Sequence, residues 1–87
     1  MTAGIAMSTQ QTREAITDGV ITAKVRAALC EDTITASYDI CVETLHGIVE
    51  LSGFVETDDV RIEALHVTEH VRGVLRVQDL LDVRSHD

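Results

Sequence analysis

The stretch "YDICVETLHGIVELSGFV", residues 38–55, constrains the fold more than any other part of the chain. It holds two runs of alternating apolar and polar residues with His46 and Gly47 between them. Side chains on a strand point to opposite faces with a period of two. Ile40, Val42 and Thr44 therefore share one face of the first run, and Cys41, Glu43 and Leu45 share the other. In the second run Val49, Leu51, Gly53 and Val55 lie together. Two residues between such runs read as a tight hairpin turn, and Gly47 supplies the positive φ that the turn demands. Gly53 falls inside the second strand, where a missing side chain would let a helix approach closely.

Helical periodicity flanks this hairpin. In "TDGVITAKVRAALCED" the residues Ile21, Val25, Ala28 and Leu29 recur at helical spacing. Thr17 or Asp18 is placed to cap a helix running from about 19 to 30. Residues 1–15 are polar with weak periodicity and read as a flexible tail. After the hairpin, "ETDDVRIEALHVTEHVRG" reads as a second helix. Thr57 or Asp58 caps it, acids sit near its positive end, and Val60, Ala64, Val67 and Val71 form its apolar stripe. Gly73 is expected to end that helix in a left-handed conformation. "VLRVQDLLDV" closes the domain as a strand, with Leu75, Val77, Leu81 and Val83 on one face. The order is α-β-β-α-β, a single domain over residues 16–84 with a short C-terminal tail at 85–87.

Composition narrows the function classes. With 87 residues there is room for one core, built from Val, Leu, Ile and Ala because the chain has one Tyr, one Phe and no Trp. Stacking platforms for single-stranded nucleic acid are nearly absent. The net charge of -8 repels phosphate backbones and anionic lipid surfaces. Neither nucleic-acid binding nor a transmembrane segment is expected. Cys30 and Cys41 are the two cysteines. They read as free thiols, or as one bridge in an oxidising compartment, and no C-x-x-C supports a redox or zinc site. The start of the chain lacks a basic n-region and a long apolar run, so as written it reads as cytoplasmic; a chain whose leader had been removed would be periplasmic.

One segment looks like chemistry. "HVTEH", residues 66–70, has the H-x-x-E-H form that places two metal-binding histidines and a glutamate base on one helix in some metalloproteases. At about 100° per residue, however, His66 and His70 fall away from the apolar stripe toward solvent. A thin single core also leaves little room for a closed catalytic cavity. No catalytic residue is assigned. A surface metal site is the weaker candidate: Asp59, Glu63, His66 and His70 stand at i, i+4, i+7 and i+11, where two of them would suit Zn²⁺ or Ni²⁺. A solvated helix face is the favoured reading. Ser52 has no evident base and no nucleophile elbow. No Gly-rich phosphate loop precedes either helix, so no cofactor is expected.

Asp18, Ile21, Val25 and Leu29, then Ile40 and Val42, the run "VELSGFVET", Ala64 and Val67, and the ending "VRGVLRVQDLLDV" together resemble the BON domain of bacterial osmotically inducible and nodulation-related proteins. A periplasmic osmotic-stress member shares "ITAKV", "AAL" and "LSGFVE" in corresponding places. The resemblance covers residues 18–84 and implies an α+β fold, with a three-stranded mixed sheet and two helices packed on one face. It also implies a non-catalytic module that binds phospholipid or cell-envelope components, in a stress-related role. Members often carry two copies and a signal peptide, whereas this sequence shows one copy.

Two helices cover one sheet face only. The other face carries Cys41, Leu45, Phe54 and Leu80 among Glu43, Glu50, Ser52, Arg76 and Gln78. Its apolar members exceed what a solvated face needs, which points to an interaction face, for a homodimer or an envelope partner. Two function classes result: a lipid or envelope binding module, and a protein-interaction or homodimerising module that binds no lipid.

Overall fold

The computed structural model describes residues 2–84, with side chains from residue 17 onward. Its elements follow the expected order: α1 (Thr2–Glu31), β1 (Cys41–Leu45), β2 (Ile48–Val55), α2 (Asp58–Glu69) and β3 (Arg76–Val83). The sheet order is β1-β2-β3. β1 runs antiparallel to β2, and β3 parallel to it, so the sheet is mixed. Both helices pack on one face, an α+β arrangement.

The hairpin forms as its residues dictate. His46 and Gly47 both have positive φ, 53° and 80°, the condition for a two-residue turn whose twist matches its strands. Register then follows: Leu45 opposes Ile48, and Cys41 opposes Ser52. Val42, Val49, Leu51 and Val55 are buried under the helices. Val42, Val49 and Leu51 meet Ile21, Val25 and Leu29 of α1 and Ala64 of α2, and Val60 of α2 is buried as well. The i, i+4, i+8 spacing of the α1 residues puts them on one stripe.

The structure differs from the sequence expectations at several points. α1 begins at Thr2, not near 19, and so covers most of the expected tail. Residues 2–18 contain no proline, and their three Ala and two Gln favour a helix although Gly4 and four Thr do not. Thr17 and Asp18 are consequently interior to the helix and do not cap it. Met1 and the expected tail at 85–87 lie outside the described residues. α2 is capped by Thr57, whose side chain accepts from the Val60 N–H at 3.3 Å. It ends at Glu69, before Gly73, and closes through short bonds from His70 N–H to Val67 O and from Val71 N–H to Thr68 O. Gly73, with φ of 100°, instead turns the chain toward β3 and lies against Ile21.

Two threonines are buried that an apolar stripe does not reveal. Thr68 and Thr35 are 0% and 1% exposed. Each hydroxyl donates to a carbonyl within reach, Thr68 to Ala64 O at 2.8 Å and Thr35 to Leu29 O at 2.7 Å, which removes the cost of burying it. Thr35 thereby satisfies one of the carbonyls left over at the end of α1. Leu75, expected on the inner face of β3, lies just before the strand and is exposed.

Candidate functional site

The two H-x-x-E-H histidines are both exposed on the outer side of α2. Their rings lie 4.4 Å apart between centroids, tilted by 48°, as residues one helical turn apart can. The His70 Nδ1–H donates to His66 O at 2.8 Å, which leaves Nε2 as the free nitrogen of that ring. Glu63 lies beside Asp32, in the loop after α1, as well as near His66. Hydrogen bonding between these carboxyls pushes Glu63 above the usual glutamate range and Asp32 below the usual aspartate range. Burial pushes Glu63 further up, and nearby His66 pulls it slightly down. Asp32 also accepts from the Ile34 and Thr35 N–H groups, at 2.9 and 3.2 Å. Among the described residues no set of three or more His, Cys, Asp or Glu side chains is gathered around one point suited to a metal.

Asp58 does not cap α2 but bonds Arg61, whose guanidinium also reaches Asp79 on β3. This ion network ties α2 to the sheet. Its members hold Arg61 firmly charged.

The open sheet face is where most candidate residues gather. Cys41, Leu45, Phe54 and Leu80 all lie on it, by alternation and register. They form two groups. Leu45 opposes Ile48 near the hairpin, while Phe54 and Leu80 lie toward the other end, with Glu43, Glu50 and Gln78 crossing between. Phe54 carries the Arg84 guanidinium at 3.9 Å over its ring. Phe54 and Tyr38, the two aromatic residues of the chain, line one groove with Asp39 and Arg84. A second cleft of about 290 Å³ adjoins it and is lined by Arg26, Cys30, Tyr38, Asp39 and Cys41, among others. Both cysteines are free and exposed. Periodicity carries no signal for the grooves, because residues 32–40 are turn and loop.

Each of the three candidate glycines has positive φ. At Gly53 the close neighbour is not a helix. A Cβ there would stand 2.9 Å from Asp39 O, the backbone of the loop entering β1. At Gly47 it would meet Leu75 at 2.9 Å. The hairpin turn has a further support. Asp18 of α1 accepts from the His46 N–H at 2.9 Å with one carboxylate oxygen and from the Gly47 N–H at 3.0 Å with the other.

The BON domain family model matches residues 17–85, from just before this clamp past the end of β3. The chain belongs to the BON domain family. The matched span holds the Asp18 clamp, all three positive-φ glycines and the whole sheet. The BON chain is also similar to "Osmotically-inducible protein Y" of Escherichia coli (strain K12), with 48% identity over 68 residues. That stretch is 78% of this chain and 34% of the relative, so the chain spans about a third of the length of the curated protein it matches. No helix among the described residues is long and apolar enough to cross a membrane.

Proposed function

We propose that this BON domain is a non-catalytic binding module for phospholipid or other cell-envelope components, serving in a stress response. Membership of the family over residues 17–85 carries the reading. The osmotically inducible relative supports the stress setting. Exposed Leu45, Phe54 and Leu80 on the uncovered sheet face offer apolar area to a partner. Exposure of His66 and His70 on a convex helix supports a non-catalytic role. An envelope role places the working site in the periplasm.

Vesicle co-sedimentation at low salt tests the proposal. With a net charge of -8 the domain should bind zwitterionic vesicles at least as well as anionic ones, and added salt should improve anionic binding by screening repulsion. Binding to neither lipid overturns the phospholipid part of the proposal. It would favour the second reading, a protein-interaction or homodimerising module that binds no lipid and works through the same apolar residues in the cytoplasm.

A further inference from the structure

β3 is an edge strand of eight residues, against five in β1 at the other edge. The Arg84 N–H donates to Val55 O at 2.8 Å, so even-numbered residues of this stretch turn their backbone groups toward β2. Odd-numbered Val77, Asp79, Leu81 and Val83 turn theirs outward. A second bond agrees: the Leu81 N–H is taken by the carboxylate of Asp79 at 3.1 Å, not by β2. Among the described residues no backbone group from elsewhere in the chain covers this edge. An uncovered row of donors and acceptors is a template for another strand.

We propose that β3 pairs antiparallel with β3 of a second copy, in the register centred on Asp79, and that Asp79 holds this pairing back. Outward backbone groups must face outward backbone groups, so only registers that pair odd with odd residues are allowed. Centring on Asp79 sets Val77 against Leu81 on the helix side of the sheet. On the open side it sets Arg76 against Asp82 of the second copy, twice by symmetry, and Gln78 against Leu80. Slipping by two residues one way puts Arg76 against Arg84; slipping the other way puts it against Leu80. Charge complementarity therefore selects a single register. Arg76 and Asp82 are exposed, and Asp82 would exchange its long, exposed 3.8 Å contact with Arg84 of its own chain for Arg76 of the second copy.

Asp79 opposes the pairing in two ways. Its carboxylate occupies the Leu81 N–H that the second strand needs. It also faces Asp79 of the second copy across the two-fold axis, each only partly neutralised by its own Arg61. The edge is thus a guarded one, and removal of that side chain opens it. This inference does not rest on lipid binding.

Sedimentation equilibrium of the whole chain, up to about 1 mM, tests it. Asp79→Ala, which removes both the charge and the acceptor on the Leu81 N–H, should tighten the dimer by about tenfold over the wild type. Arg76→Glu should then weaken it by about tenfold, and adding Asp82→Arg should restore it. Leu45→Asp on β1, away from the β3 edge, should leave it unchanged, whereas a dimer through the open face would be lost. Because Asp79→Ala also cuts a tie to α2, circular dichroism checks that the variant is folded. The charge exchange at exposed Arg76 and Asp82 is measured in the wild-type background as well. A chain that stays monomeric in every variant overturns the proposal, and so does a dimer indifferent to the exchange.

Discussion

Gly53 combines two demands that no other residue meets. Its φ of 123° is a conformation that L side chains rarely adopt, and Asp39 O lies only 2.9 Å from where a Cβ would stand. Gly53→Ala should therefore cost about 1–3 kcal/mol from backbone strain alone, with the carbonyl contact added to that. Urea denaturation should show a clear fall in midpoint, and an unchanged midpoint would refute the close approach. Glu63 makes a different prediction. Its carboxyl holds a proton more tightly in the fold than in the unfolded chain, so that stabilisation is present at low pH and lost as pH rises through its raised value. Asp32 is shifted the opposite way, and its contribution is lost as pH falls through its lowered value. The pair is thus most favourable between those two points, where it shares one proton. Glu63→Gln keeps a donor toward Asp32 without titrating. Its melting temperature should lack the decline that the wild type shows on going from acid to neutral pH. A parallel decline in both proteins would count against the shared proton.

At the scale of elements, α1 does more than cover the sheet. The Asp18 carboxylate holds both N–H groups of the two-residue turn, and Thr22 of the same helix bonds Thr44 at 2.8 Å, hydroxyl to hydroxyl. The helix thereby sets the position of the β1–β2 hairpin as well as burying it. Asp18→Asn leaves one oxygen and sets an amide donor against the other N–H. It should cost about 1.5–3 kcal/mol, the range for hydrogen bonds to a charged group. Chemical denaturation measures this, and a loss within error would show that water replaces the clamp. The sequence placed Asp18 at a helix cap because short acids favour that position. It carried no sign that the helix continues through Asp18 or that a turn 28 residues later presents two N–H groups to it. α2 was more legible. Thr57, Val60 and Ala64 are local in sequence and act locally in space. Its last turn was not, since Val67, Thr68 and Val71 divide the contact with the core, and Thr68 is the fully buried member.

For the molecule as a whole, one acidic domain offers two distinct surfaces: a sheet face with separated apolar groups, and a strand edge guarded by Asp79. The net charge of -8 acts on both. It opposes anionic vesicles and also opposes self-association, so salt should strengthen either contact, the reverse of a basic membrane protein's behaviour. The same salt series run on vesicle binding and on sedimentation checks this, and weakening of both by salt would mean that local attraction outweighs the overall charge. The α-β-β-α-β order, the hairpin register and most of the core were readable from the amino-acid sequence by itself. These follow from local periodicity and from a turn only two residues long, which leaves the strands no freedom to slip. Tertiary structure alone decided what occupies the space beside Gly53, which groups Asp18 and Glu63 meet, and that Asp79 bridges Arg61 and the edge of β3. Each of those contacts joins residues far apart in the chain or depends on where a strand edge falls, and neither spacing nor composition encodes such a distance.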